Sequence, residues 1–339
     1  MMVNTYNSNN IAYPLNSGKT PSTKPMQPDI VSFKGHVGVE KSARKGIEIL
    51  RHETAFFREP QTDNFVKEHI INLSQNKDKI KIISGACSTG EEAVSYSMML
   101  NAIKDKIDIL GFDISSKSIE QAKKRSYIFE KPAEESKKAA ESLNISGFKD
   151  SYLAFDSSEA LSSEQKTNKK IFDDFFEITS EKVPEEKIPL MTRFQIWLTN
   201  KLYKTEPIHT DKKLCKLKEG KAENCKFIQG DIEDIRNITG DEKADVILFR
   251  NALYHLTTQE IGAMGLRVPK KESESIIENI GRKIKDSLND NGILVFGEEE
   301  PLQMADDKTV PKVMKRLGFV PMNETSEHYA NVWQKVGSK

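Results

Sequence analysis

The chain has 339 residues, enough for about two domains, and its 51 Lys and Arg balance 51 Asp and Glu to a net charge of zero. That balance speaks against a general nucleic-acid binder, which carries a basic excess, and no apolar run approaches the roughly 18 residues of a membrane span. Apolar residues make up 37% and charged residues 30%, polar for a globular chain yet sufficient for a core. The first residues show no apolar stretch of a secretory signal. The three cysteines, Cys87, Cys215 and Cys225, form no CxxC pair. A reducing, cytoplasmic compartment without membrane insertion is expected.

Residues 1–45 hold four of the 13 prolines and six basic residues against two acidic ones, which reads as a disordered basic tail. Beyond it, Ile47, Leu50 and Phe57 mark an amphipathic stretch, and Phe65, Ile70, Ile71 and Leu73 a helix. Ile80 to Ser84 reads as a buried strand ending in Gly85, Glu91 to Lys104 as a helix, and Ile107 to Phe112 as a second strand closed by Asp113. Ser115 or Ser116 then caps a helix that runs to Arg125. Strand, loop, helix, strand, helix is a βαβ unit and implies a parallel sheet.

The alternation stops over 130–224, a segment rich in Lys, Glu and Ser, and this segment is expected to be an inserted small β and helical subdomain. Leu190, Phe194, Leu198 and Leu202 predict an amphipathic helix there. Ile171 to Ile178 and the flanks of Cys215 and Cys225 read as short strands. Residues 130–187 carry nine basic and 14 acidic residues, and residues 188–224 eight and four. The zero total therefore conceals an acidic and a basic half, and the basic half is where a partner would be steered.

Alternation returns with Phe227-Ile228-Gln229-Gly230-Asp231 and with a strand from Ala244 to Phe249 before Arg250-Asn251. Ile276, Ile277, Ile280, Ile284 and Leu288 form a helical stripe. Asn291-Gly292 predicts a turn into a strand from Ile293 to Phe296, and Phe319 with Val332-Trp333 predicts a closing hairpin.

The run Gly85-Ala86-Cys87-Ser88-Thr89-Gly90-Glu91-Glu92 joins a strand to a helix. Such loops bring backbone amides to a ligand at the C-terminal edge of a parallel sheet. It is neither a P-loop nor a G-x-G-x-x-G pattern. Two carboxylates after the last glycine would repel a phosphate and suit a cationic ligand such as S-adenosylmethionine (SAM); they also favour a helix N-terminus in their own right. Asp113 lies 23 residues past Gly90, where an acid accepts ribose hydroxyls, although it can equally cap the next helix. Asp231 and Asn251 follow two further strands, so polar residues converge on one crevice.

Thr54-Ala55-Phe56-Phe57-Arg58, Cys87-Ser88-Thr89-Gly90-Glu91-Glu92, Gly111-Phe112-Asp113-Ile114, Phe249-Arg250-Asn251 and Phe296-Gly297-Glu298-Glu299 follow one another in the order of the CheR-type methyltransferases. The chain resembles this family of chemotaxis-receptor glutamate O-methyltransferases over roughly residues 46–129 and 225–300. The resemblance implies a Rossmann-like class I SAM-dependent methyltransferase sheet with helices on both faces. Its domain would span 46–129 and 225–339, interrupted by the 130–224 subdomain. It implies SAM as cofactor, with Thr54, Arg58, Gly85, Glu91, Asp113, Asp231, Ile232, Arg250 and Asn251 around it. Within that set Glu91 takes the amino-acid end, Asp113 the ribose, and Asp231-Ile232 the place near the adenine. Arg58, Tyr254 and His255 are the expected catalytic residues.

His52 and His255 depart from the family, which has Asn and Tyr at these places, and the family's basic helical N-terminal domain has no full counterpart. The gap of 118 residues between Asp113 and Asp231 is also long. The implied partner is a protein with exposed Glu side chains, such as a chemoreceptor cytoplasmic region, and a monomer is expected. A glutamate side chain is ionised at neutral pH, with a reference pKa of about 4.3, so methyl transfer to it calls for positioning and desolvation rather than a general base. Arg58 can hold the incoming carboxylate in a bidentate way, or pair with Glu53. Tyr254 or His255 can add a hydrogen bond, and His255 can equally be a helix-start residue. Cys87 has no His near it in sequence, and no His/Cys spacing suggests a metal. The alternatives are methyl transfer to a small molecule or another protein, and an adaptor that binds SAM without catalysis.

Overall fold

The computed structural model describes residues 54–132, 163–180, 183, 210–240, 242–261, 264–267, 270–298, 308–323 and 330–337. The expected tail, the amphipathic residues Ile47 and Leu50, His52, and the helix around Leu190 to Leu202 lie outside the described residues. The chain divides into two compact units, one containing Arg125–Lys221 and the other containing the chain on either side, up to Lys124 and from Ala222.

The larger unit holds a seven-stranded sheet. Its first half comprises α1 (Pro60–Leu73), β1 (Ile80–Gly85), α2 (Glu91–Met99), β2 (Ile107–Asp113) and α3 (Ser116–Lys124). Its second half comprises β6 (Cys225–Gln229), α5 (Ile235–Thr239), β7 (Ala244–Leu248), α6 (Leu253–Thr257), α7 (Lys270–Ser287), β10 (Leu288–Val295), α8 (Thr309–Arg316), β11 (Phe319–Pro321) and β12 (Val332–Lys335). The spatial order is β11-β12-β10-β7-β1-β2-β6. β6, β2, β1, β7 and β10 run parallel, and β12 is antiparallel to both its neighbours. β11 and β12 pair antiparallel as the expected closing hairpin, and β12 also pairs with β10.

The apolar residues of β1 (Ile80, Ile82, Ile83) and of β7 (Val246, Ile247, Leu248) are buried, as befits parallel strands covered on both faces. Ile277, Ile280 and Ile284 of α7 pack with Val313 and Met314 of α8, Phe249, Phe296 and Trp333 into one cluster. Each such side chain contributes about 1.5–3 kcal/mol on burial. Ser84 pairs with Leu248 and Gly111, and Leu248 with Val295. The strand ends therefore finish level, and the loops that follow share one edge.

Phe57 lies in a turn: it has φ 51° and its N–H donates to Ser95 Oγ at 3.1 Å, which buries both Phe56 and Phe57. Two local readings are corrected. The helix from Glu91 stops at Met99, and Asn101–Lys106 forms a 3-10 turn. Asn291-Gly292 is a bulge inside β10, with Asn291 at φ 62° and a register shift between Leu288 and Ile293, so the strand starts before the expected turn.

The smaller unit contains β3 (Ser126–Pro132), α4 (Ser163–Phe175), β4 (Phe176–Ile178) and β5 (Thr210–Leu217), with strand order β3-β5-β4, all antiparallel. Ile171 to Phe175, read from sequence as strand, is the end of α4. Phe172 and Phe175 thereby face the sheet, and Phe172 stacks on Phe176 at 4.7 Å. A short hairpin, β8 (Thr258–Ile261) with β9 (Met264–Arg267), belongs to the larger unit.

Candidate functional site

β1 lies where the strand order reverses, with β2 on one side and β7 on the other. Ligands of open α/β sheets bind in the crevice at such a switch point. Here the crevice is a cleft lined by Thr54, Ala55, Arg58, Ala86, Cys87, Glu92 and Arg250. Phe57, Ala86, Ser88 and Asn251 around it all have φ between 50° and 54°. Non-glycine residues in this region each cost roughly 1–3 kcal/mol and gather at functional sites.

The loop after β1 is bound to the end of β2. Cys87 N–H donates to the Phe112 carbonyl at 3.0 Å, and Ser88 N–H to Asp113 Oδ2 at 2.8 Å. The other oxygen of Asp113 accepts from Ser115 N–H at 2.9 Å, and Ser115 Oγ caps α3 through Ser118 N–H. Asp113 thus orders the loop and the helix start with one oxygen each, and a carboxylate keeps further acceptor capacity. Gly90 (φ 94°) ends the loop, and a Cβ there would meet the Phe227 ring at 2.7 Å. Gly85 is packed closely but less tightly, with the Phe112 and Phe249 rings 3.1 and 3.2 Å from a Cβ position.

The two glutamates that follow Gly90 diverge. Glu91 takes the Thr89 hydroxyl 2.8 and 2.7 Å from its two oxygens and is also hydrogen-bonded to Thr54. Burial pushes its carboxyl up to about 7, against these hydrogen bonds, so a cationic ligand would favour its ionised form. Glu92 lines the cleft. It accepts the Ser84 hydroxyl at 2.7 Å and is paired with Nε of Arg250.

Arg250 is buried within three carboxylates. Its Nη1 is 2.9 Å from Asp63, in the first turn of α1, and 3.5 Å from Glu59, the residue just before α1, while Glu92 comes from α2. Tyr96 donates to Asp63 at 2.9 Å. One guanidinium cannot neutralise three acids. Burial accordingly raises Glu59 to about 7, partly offset by Arg250, and raises Asp63 as well. The sequence reading placed Arg250 but missed Glu59, Asp63 and Tyr96. The available signal was Glu59 and Asp63 four apart on one helix face, directly after Arg58.

Asn251, packed against Gly297, accepts from both Nη atoms of Arg58 at 3.2 Å when its amide is oriented to satisfy both groups. On the far side of β2, Asp231 Oδ1 accepts the Glu233 N–H at 2.9 Å, while its buried Oδ2 has no partner among the described residues. Ile232 follows, buried, in a 3-10 turn. Thr54, Arg58, Gly85, Glu91, Asp113, Asp231, Ile232, Arg250 and Asn251 thus lie along one edge of the larger unit. Tyr254 and His255 belong to α6, and their side chains lie outside the described residues.

These groups suit SAM: a desolvated carboxyl for an ammonium, an aspartate at the end of β2 for hydroxyls, and an orphaned buried acceptor at Asp231 for an amino group. The strand order is that of a Rossmann-like α/β sheet of the kind found in class I SAM-dependent methyltransferases. Residues 52–143 match the family model described as CheR methyltransferase, SAM binding domain, and this match supports SAM as the cofactor.

No curated protein matches the sequence. Similar solved structures include magnesium protoporphyrin IX methyltransferase from Synechocystis PCC 6803 with bound SAH, at 11% identity, 83% of this chain, 84% of that one and a TM-score of 0.35. The carbon methyltransferase of DszA is similar at 10% identity, 84% and 56% coverage and 0.38. The N-methyltransferase NodS from Bradyrhizobium japonicum WM9 is similar at 8%, 82% and 99%, and 0.33. No helix among the described residues is long and apolar enough to cross a membrane.

Proposed function

We infer that the chain methylates glutamate side chains of a protein substrate, on the pattern of chemotaxis-receptor methyltransferases, in the cytoplasm. The observation that carries this reading is Arg58, a guanidinium on the cleft lining held from one side by Asn251. SAM supplies an electrophilic methyl group on a sulfonium. Arg58 orients the incoming carboxylate, which arrives ionised and needs no base. Glu91, aided by Thr89 and Thr54, holds the ammonium end of the cofactor. Asp113 takes the ribose hydroxyls, and Asp231 Oδ2 accepts from the adenine amine. Glu92 and Arg250 wall the cleft and neutralise each other, so water is displaced without leaving a bare charge. Tyr254 or His255 hydrogen-bonds the acceptor. The 130–224 segment, with its basic half at 188–224, recognises the partner.

The test is release of volatile base-labile methanol from protein after incubation with labelled SAM and a lysate. Label in base-labile protein esters, lost in Arg58→Ala, is expected; label in small molecules alone overturns the reading. His255, where the family has Tyr, favours a second reading, methyl transfer to a small molecule, and that outcome would establish it.

A further inference from the structure

Glu59 follows Arg58 directly, and it is 6% exposed. Its Oε1 accepts the backbone N–H of Glu298 at 3.1 Å, and its Oε2 lies 3.5 Å from Nη1 of Arg250. The Glu298 carboxylate accepts the Thr62 hydroxyl, and Thr62 accepts Asn331 Nδ2 at 2.7 Å. Glu59 stands behind the cleft that Thr54, Ala55, Arg58, Glu92 and Arg250 line. One side chain thereby joins the segment before α1, the turn after β7 and the turn after β10.

We propose that Glu59 is a positioning residue for methyl transfer: it pins the Thr54–Arg58 strap to the ends of β7 and β10, so that Thr54 and Arg58 keep their alignment with the glycine loop. A carboxyl suits this joint because one oxygen accepts an N–H while the other meets a guanidinium. Removing it takes the acceptor from the Glu298 N–H and leaves Arg250 to Asp63 and Glu92. The groups facing it are Arg250, Asp63 and Glu298, and burial holds it near 7, so at neutral pH a large share of it is uncharged. Gln keeps the acceptor toward the Glu298 N–H and gives up the contact to Arg250, which Asp63 and Glu92 still hold, whereas Ala keeps neither, so Gln is the milder substitution. The proposal rests on Thr54 and Arg58 serving the cofactor cleft, and is independent of which acceptor is methylated.

The experiment is SAM titration calorimetry combined with hydrogen exchange by mass spectrometry on the full chain and its Glu59→Ala, Glu59→Gln and Glu59→Asp variants. Glu59→Ala is expected to weaken SAM about tenfold. It should speed exchange over residues 54–66 and at Glu298 while β2 and α3 keep their protection. Glu59→Gln should bind SAM within about threefold of the parent. If the Ala variant does not fold, Asp, one methylene too short to span the joint, should be weaker than Gln. Unchanged SAM affinity in Glu59→Ala, equal loss in Ala and Gln, exchange raised equally across β2 and α3, or Asp binding better than Gln would each overturn the proposal. Failure to form protein esters in the parent would instead sink the glutamate reading and leave this comparison standing.

Discussion

Two sets of acids occupy the same edge of the sheet and are treated in opposite ways. Glu59, Asp63 and Glu92 close around Arg250, so their charge is managed inside the fold. Glu91, Asp113 and Asp231 take their hydrogen bonds from hydroxyls and backbone amides instead. The first set is a structural joint that a ligand need not complete. The second retains acceptor capacity and unspent negative potential, which is what a cationic nucleoside requires. A buried carboxylate beside the cleft is therefore not diagnostic of binding; what it is paired with decides.

Breaking the joint should have the largest effect. Arg250→Ala leaves buried carboxylates without their cation and is expected to cost about 3–5 kcal/mol in urea unfolding, enough to remove much of a typical domain's stability. On the binding side, Glu91→Gln should weaken SAM by about 1.5–3 kcal/mol, the worth of a hydrogen bond to a charged group. It should also flatten the pH dependence. With Glu91 near 7 in the free protein, parent affinity rises between about pH 6 and pH 8 as the carboxyl ionises, and binding releases a proton. An affinity that falls over that range would refute the assignment.

Asp231→Asn keeps the turn acceptor but sets an N–H against the adenine amine. Calorimetry should show a loss of about 1 kcal/mol in SAM affinity with little change in melting temperature. Stability of the SAM-free protein should fall as pH rises from the ordinary carboxylate value of 4.5 towards about 7. Glu59 and Glu91 hold protons more tightly folded than unfolded over that window, so the folded state loses ground as they ionise. Smallest of all, Glu278→Ala removes exposed pairs to Arg282 and Arg316 and should leave the melting temperature unchanged, because water already screens them.

Much of the sheet was legible. The unbroken apolar runs at Ile80–Ser84 and Ala244–Phe249 can only be strands covered on both faces, and the stripe at Ile277, Ile280 and Ile284 can only be a helix packed on one side. Less legible was the end of α4, where Ile171 to Phe175 is apolar and aromatic enough for either element and packing against β4 chose helix. The turn at Phe57 left no signal either, because a turn that buries two adjacent aromatics has no periodicity to detect.

What the sequence determined by itself was local and periodic: the βαβ alternation, the glycine loop, the strand-end acids and the motif order that marks a SAM-binding domain. What only the tertiary structure decided was which charges meet. Glu91 and Glu92 are neighbours in sequence, yet a helix turns successive residues about 100° apart. One was delivered to Thr54 and Thr89, and the other to Arg250, 158 residues away. Sequence spacing constrains charges within one element, but pairing across strands is set by the level finish of β1, β7 and β10, a property of the assembled sheet alone.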